Sequence, residues 1–108
     1  MPTSLIVAAT LLTLLLVVYS APAEIPPGMA KATFAVHCYD VGAHALEGKP
    51  GVLSVERGWS GSREVDRVVY NPKDVSITQL EDWLKAADTY VSTLEQTMGP
   101  EPAKEMSQ

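Results

Sequence analysis

From Lys31 to Val36 the side chains alternate, with Phe34 and Val36 on one side and Thr33 and Ala35 on the other, the period-two pattern of a strand. Val41, Ala45 and Leu46 follow at helical spacing, and Pro50-Gly51 ends the short helix they predict over Val41–Gly48. Leu53, Val55, Arg57 and Trp59 then alternate with Ser54, Glu56 and Gly58, predicting a second strand with one buried face that stops at Ser60-Gly61-Ser62. Glu64 to Tyr70 alternates again, Val65, Arg67 and Val69 against Asp66, Val68 and Tyr70, and the short turn before it predicts a hairpin. Asn71-Pro72 closes that strand.

Beyond it, Ser76-Ile77-Thr78-Gln79 reads as a capping box. Ile77, Leu80, Leu84, Ala87, Val91 and Leu94 fall on one helical face, with Glu81, Asp82, Lys85, Asp88 and Glu95 opposite, so the pattern predicts one long helix halted by Gly99-Pro100. The order is βαββα, most of a ferredoxin-like split unit: an α+β, two-layer sandwich with helices on one face of a small antiparallel sheet.

An apolar N-terminal segment precedes this domain. Leu5 to Tyr19 is an unbroken run of apolar residues and threonine, at the upper end of a signal peptide's apolar region and short of the roughly 20 residues a membrane span needs. Ala21-Pro22-Ala23 supplies an A-x-A pattern, although Met1 to Ser4 holds no Lys or Arg. Residues 1–23 therefore read as a cleaved export signal, with an uncleaved N-terminal membrane anchor, or a true start at Met29, as the alternatives. An exported protein, secreted, periplasmic or in the secretory pathway, is the expectation. Residues 24–30, with Pro26-Pro27, read as a linker, 31–98 as the domain, and 99–108 as a flexible polar tail.

Every charged residue lies beyond the apolar run, so the net charge of −5 belongs to the domain. An acidic domain of this size argues against nucleic acid as partner, because phosphate binding needs clustered Lys and Arg. A single cysteine rules out an internal disulfide, so the core alone must hold the fold.

That cysteine, Cys38, follows the first strand and precedes the first helix. A sulfur there lies near the free N–H groups of a helix N-terminus, whose partial positive charge stabilises a thiolate. The plainer reading is packing, since free cysteine is among the most buried residue types.

The segments Ala32-Thr-Phe-Ala-Val-His-Cys38, Pro50-Gly51-Val52, Gly58-Trp59-Ser60-Gly61 and Val69-Tyr70-Asn71-Pro72 stand in an order that resembles the core of methionine sulfoxide reductase A. That family carries Gly-Cys-Phe-Trp after its first strand, then Pro-Gly-Val, a Gly-Tyr-x-Gly-Gly turn, and a Val-x-Tyr-Asp-Pro strand end leading into a helix. The similarity runs from about Ala32 to Leu84. It implies a peptide-methionine (S)-S-oxide reductase in which a thiolate attacks the sulfoxide sulfur, an acid protonates the oxygen, and the resulting sulfenic acid is reduced by a thiol.

Carried onto this chain, the resemblance makes Cys38 the nucleophile and Tyr39 a wall of the methyl pocket. Trp59 stands where the turn has an oxygen-holding tyrosine. The substrate is methionine sulfoxide, free or in proteins. No cofactor is implied, and with one cysteine the reductant is an external thiol such as thioredoxin or glutathione. The chain departs from the family at Asp40, which replaces the pocket tryptophan, at Ala43, which replaces an acid, and at Ser62-Arg63, which stand for a longer segment. Asp40 and His44 are the substitute acids that the first turns of the helix would bring toward Cys38, an Asp buried beside the thiol having the raised pKa an acid needs.

Two other readings compete. The βαββα order with a cysteine after the first strand is also similar to the heavy-metal-associated domain, whose loop carries Met-x-Cys-x-x-Cys; here His37, Cys38 and His44, with Asp40, would be the metal set, and Val41 replaces the second cysteine. A non-enzymatic binding scaffold is the third, with Trp83 and Tyr90 off the apolar stripe as its partner surface.

Overall fold

A computed structural model of the chain describes residues 25–101. The apolar run Leu5–Tyr19, the Ala21-Pro22-Ala23 site and most of the polar tail lie outside the described residues. The elements run β1 (Ala30–Val36), α1 (Tyr39–Leu46), β2 (Val52–Ser60), β3 (Arg63–Tyr70), α2 (Ile77–Ala86) and β4 (Tyr90–Met98). The protein is α+β, with four antiparallel strands in the order β2-β3-β1-β4.

Alternation along β1 sends Ala30, Ala32, Phe34 and Val36 to one face, where they meet Val68 and Tyr70 of β3, Leu46 of α1, and Val75, Leu80 and Leu84 at and within α2. Both helices thus share one core with one face of the sheet. β2 and β3 are joined by a two-residue turn at Gly61-Ser62, where Gly61 takes φ 62°, and Ser60 faces Arg63 across it. Leu53 is the extra residue of a bulge between Val52 and Ser54. The bulge turns Leu53 to solvent, so Val52 and Val55 are the residues that pack on the core, and the buried face expected from Leu53 is corrected.

The largest correction is at the C-terminal side. The Ser76 hydroxyl accepts from Gln79 N at 3.1 Å, as a capped helix start requires, but α2 ends at Ala86 and does not run to Leu94. Asp88 adopts φ 59°, Thr89 N donates to Leu84 O and Asp88 N donates to Lys85 O, which is a Schellman closure with Asp where Gly is usual. The chain then enters β4. Val91 and Leu94, expected on the helical stripe, are the extra residues at the two register shifts between β1 and β4.

The segment read as a linker is tied down. Met29 N donates to Pro26 O, Gly28 N to Pro100 O and Gly99 N to Met29 O, so residues 25–29 and Gly99-Pro100 close against each other beside the first strand. Gly99 is required there, because a Cβ would fall 2.7 Å from Pro26 O and 2.9 Å from Met29 O.

Two outcomes follow from this packing. Leu84→Asp, at a fully buried core position, should cost several kcal/mol and abolish the cooperative thermal transition seen for the parent. Asp88→Gly should raise stability by about 0.5–1 kcal/mol, read as a higher urea midpoint, because glycine relieves the left-handed backbone. A lower midpoint would mean the aspartate side chain contributes more than its strain costs.

Candidate functional site

Cys38 is the N-cap of α1, with extended backbone (φ −141°, ψ 119°) and a partly exposed side chain. Its position comes from two directions. On one side β1 delivers it, and His37 N donates to Thr89 O at 2.8 Å. On the other, the buried Thr89 hydroxyl both accepts from Cys38 N at 3.0 Å and donates to Cys38 O at 3.3 Å. One threonine at the mouth of β4 therefore clamps both backbone groups of the cysteine, leaving its sulfur outside the hydrogen-bond frame of the turn.

Glu64 completes the helix start. It lies at the first turn of β3 after the hairpin, and its Oε1 accepts from Tyr39 N at 2.8 Å, one residue from Cys38. A carboxylate at a helix N-terminus is favourable through both the N–H bond and the helix dipole. Trp59 is directly opposite Glu64 in the hairpin register, and its ring meets Tyr39 edge-on with centroids 5.8 Å apart. Trp59 remains 54% exposed. A thiol, a carboxyl and an aromatic corner thus share the open end of α1.

The other expected residues go elsewhere. Asp40 is not buried beside the thiol: it is exposed, and its Oδ1 accepts from Arg57 Nε at 2.7 Å on the β2 side of the helix. His44 is exposed in the last turn of α1, six positions along a helix that rises about 1.5 Å per residue, and so stands at the far end from Cys38. Asp40 is thus engaged with Arg57, and His44 lies in the turn of α1 opposite its start. Among the described residues no three His, Cys, Asp or Glu side chains converge as a metal set, and His37, Cys38 and His44 are not brought together. Trp83 and Tyr90 are half-buried against the core rather than forming an exposed patch; Lys49 Nζ covers the Trp83 ring and the Tyr90 hydroxyl bonds Thr93.

Sequence reading missed Glu64 and a second acid, Asp66. Both point to the helix side of β3, two residues apart. Asp66 is fully buried, and among the described residues neither of its oxygens has a hydrogen-bond partner. It sits under Gly42 of α1, where a Cβ would overlap its Oδ2, and beside Leu84. Burial pushes its carboxyl up to about 7; Arg57 opposes that, and Glu47, Asp40 and Glu64 add to it. The hairpin register was the available signal for Glu64, because a two-residue turn pairs Trp59 with Glu64.

A cavity of about 420 Å³ lies on the face of the sheet away from the helices, lined by Lys31, Thr33, Arg67 and Glu95 among others. It touches none of the residues around Cys38.

The sign of the Asp66 effect sets a stability prediction. A carboxyl whose folded pKa is raised favours folding in its protonated form, so its contribution is complete below about pH 4 and is lost as pH rises to about 7. Asp66→Asn should flatten that part of the stability profile and make the domain more stable than the parent at alkaline pH, by on the order of 1–3 kcal/mol in urea melts. Parallel profiles for the two proteins would show that Asp66 ionises equally easily folded and unfolded.

No family model, curated protein or solved structure matches this chain.

Proposed function

We propose that the domain is a methionine-sulfoxide-reductase-A-like thiol oxidoreductase of peptide-methionine (S)-S-oxide type, exported, and recycled by an external thiol. The fold reading that accompanies it is ferredoxin-like, the β1-α1-β2-β3-α2-β4 order with β1 and β3 central. The observation that carries the reading is the Glu64 carboxyl bound to Tyr39 N, one residue from the chain's single thiol. It puts a carboxyl at the helix start, whereas Asp40 is paired with Arg57 and His44 stands in the last turn of α1.

In this reading the Glu64 carboxylate takes the Cys38 thiol proton as the sulfur attacks the sulfoxide sulfur, and passes that proton to the sulfoxide oxygen. The S–O bond to methionine breaks and the oxygen passes to Cys38. Methionine sulfur is reduced by two electrons and cysteine sulfur is oxidised to sulfenic acid by the same two. Tyr39 and Trp59 offer the apolar corner for the methyl group, and the Trp59 indole N–H is one donor for the oxygen. One external thiol then condenses with the sulfenic acid to a mixed disulfide and water, and a second releases the free Cys38 thiol and its own disulfide. Methionine sulfoxide, free or in proteins, is the substrate, and glutathione or a thioredoxin-type protein is the reductant.

Incubating the protein with a methionine sulfoxide and no thiol should yield at most one methionine per chain and one added oxygen on Cys38 by mass spectrometry. Adding glutathione or a thioredoxin-type donor should restore turnover. Cys38→Ser should abolish the reaction with the fold intact, and Glu64→Gln should slow the single turnover by roughly 10²-fold or more while Cys38 still alkylates. Methionine formed with Cys38 unmodified would remove the nucleophile, and no methionine from folded protein with thiol present would favour a binding scaffold.

A further inference from the structure

Gly42 is a poor helix former in the middle of an eight-residue helix, at a cost of about 1 kcal/mol relative to alanine. Its place is explained by the carboxyl beneath it: any Cβ at 42 would overlap Asp66 Oδ2. The sequence therefore keeps both a helix-weakening glycine and a buried acid without a hydrogen-bond partner among the described residues, at one contact, under the helix whose N-cap is Cys38. A hydrophobic pair would fill that space at lower cost, so the acid calls for a use.

Arg57 supplies the second half of the arrangement. It faces Asp66 directly across the β2–β3 ladder, yet its guanidinium reaches to α1, with Nε 2.7 Å from Asp40 Oδ1 and Nη1 3.5 Å from Glu47 Oε2. One cation is therefore placed between two acids at either end of α1 and a third acid below the helix. The remaining charged group near Asp66 is Glu64, on its own strand; β1 presents Phe34 opposite it and α2 presents Leu84.

The geometry points to Asp66 as a pH-dependent positioning residue for Cys38: protonated, it leaves Arg57 to hold α1 down through Asp40 and Glu47, and ionised, it draws Arg57 inward and loosens the helix start. With the carboxyl's midpoint pushed up to about 7, the exchange falls in the neutral range. The loosened form gives up the Arg57 bond to Asp40, in the helical turn that Cys38 caps and that Tyr39 begins. The inference deepens the proposed function only in saying what the seated thiol is for; its test needs no sulfoxide and so fails or succeeds separately.

The full chain, labelled with nitrogen-15, would be titrated from about pH 5 to about pH 9 while the Tyr39 and Gly42 amides are followed, with the iodoacetamide rate of Cys38 measured in parallel. The expected result is a shared midpoint at about 7 for both amides. That step should be absent in Asp66→Asn, and the ratio of parent to variant alkylation rates should change across the same interval. In Arg57→Gln the Gly42 midpoint should move upward, because the cation that favours the charged form is gone, and the Tyr39 step, which Arg57 carries, should be lost. Amides that do not titrate in the parent, or a step that persists in Asp66→Asn and so belongs to another group, would overturn the inference. If Asp66→Asn does not fold, Arg57→Gln decides alone, loss of the Tyr39 step supporting the exchange and an unchanged Tyr39 step overturning it.

Discussion

The hydroxyl of Thr89 joins the two halves of this fold at the single cysteine. The hydroxyl accepts from the N–H of Cys38 and donates to the carbonyl of Cys38, while the Thr89 carbonyl accepts from His37 N. These bonds require Thr89 to be buried at the entrance to β4, which requires α2 to stop at Ala86 and β4 to lie against β1. A domain without that fourth strand would leave β1 as an edge and the cysteine turn open on one side. The placement of the thiol is thus a consequence of the element farthest from it in sequence.

That element was the one the residue pattern concealed. Ile77, Leu80 and Leu84 match a helical stripe, and Ala87, Val91 and Leu94 extend it at the same spacing, so periodicity alone favours one long helix. What ends the helix is Asp88 in the left-handed region, a role for which glycine is the usual marker; Gly99 and Pro100, the visible stop signals, instead close the turn against Pro26 and Met29. The competing signal was composition. Thr89-Tyr90-Val91-Ser92-Thr93 is rich in β-branched and aromatic residues, and the two bulges that absorb Val91 and Leu94 break the period-two pattern that would have announced a strand.

The site divides along the same line between local and non-local information. Cys38 at a helix start, the hairpin and the Ser76 cap were legible because each depends on a few neighbouring residues. Asp40 and His44 were chosen for their closeness in sequence to Cys38, but helix phase turns Asp40 toward Arg57 on β2 and length carries His44 to the other end of α1. Glu64 meets Tyr39 N, next to Cys38, from 25 positions away because β3 runs antiparallel beside β1 and brings its first residues to the end where α1 begins. Strand order decides that contact, and no window along the chain contains it.

Glu64 and Asp66 show how much a single strand can separate two like groups. They share one face of β3, yet the first stands partly exposed at the rim with a backbone N–H to accept from, and the second is sealed beneath Gly42 among Phe34 and Leu84. Ionising both would set two negative charges on alternate residues beside the acids of α1, Asp40 and Glu47, with Arg57 as the cation reaching those two. Burial resolves the conflict by pushing the Asp66 carboxyl up to about 7, so that its charge is withheld while Arg57 pairs with Asp40 and Glu47. The carboxyl that cannot meet solvent is then the one that gives up its charge, and the one at the rim keeps a backbone N–H as its partner.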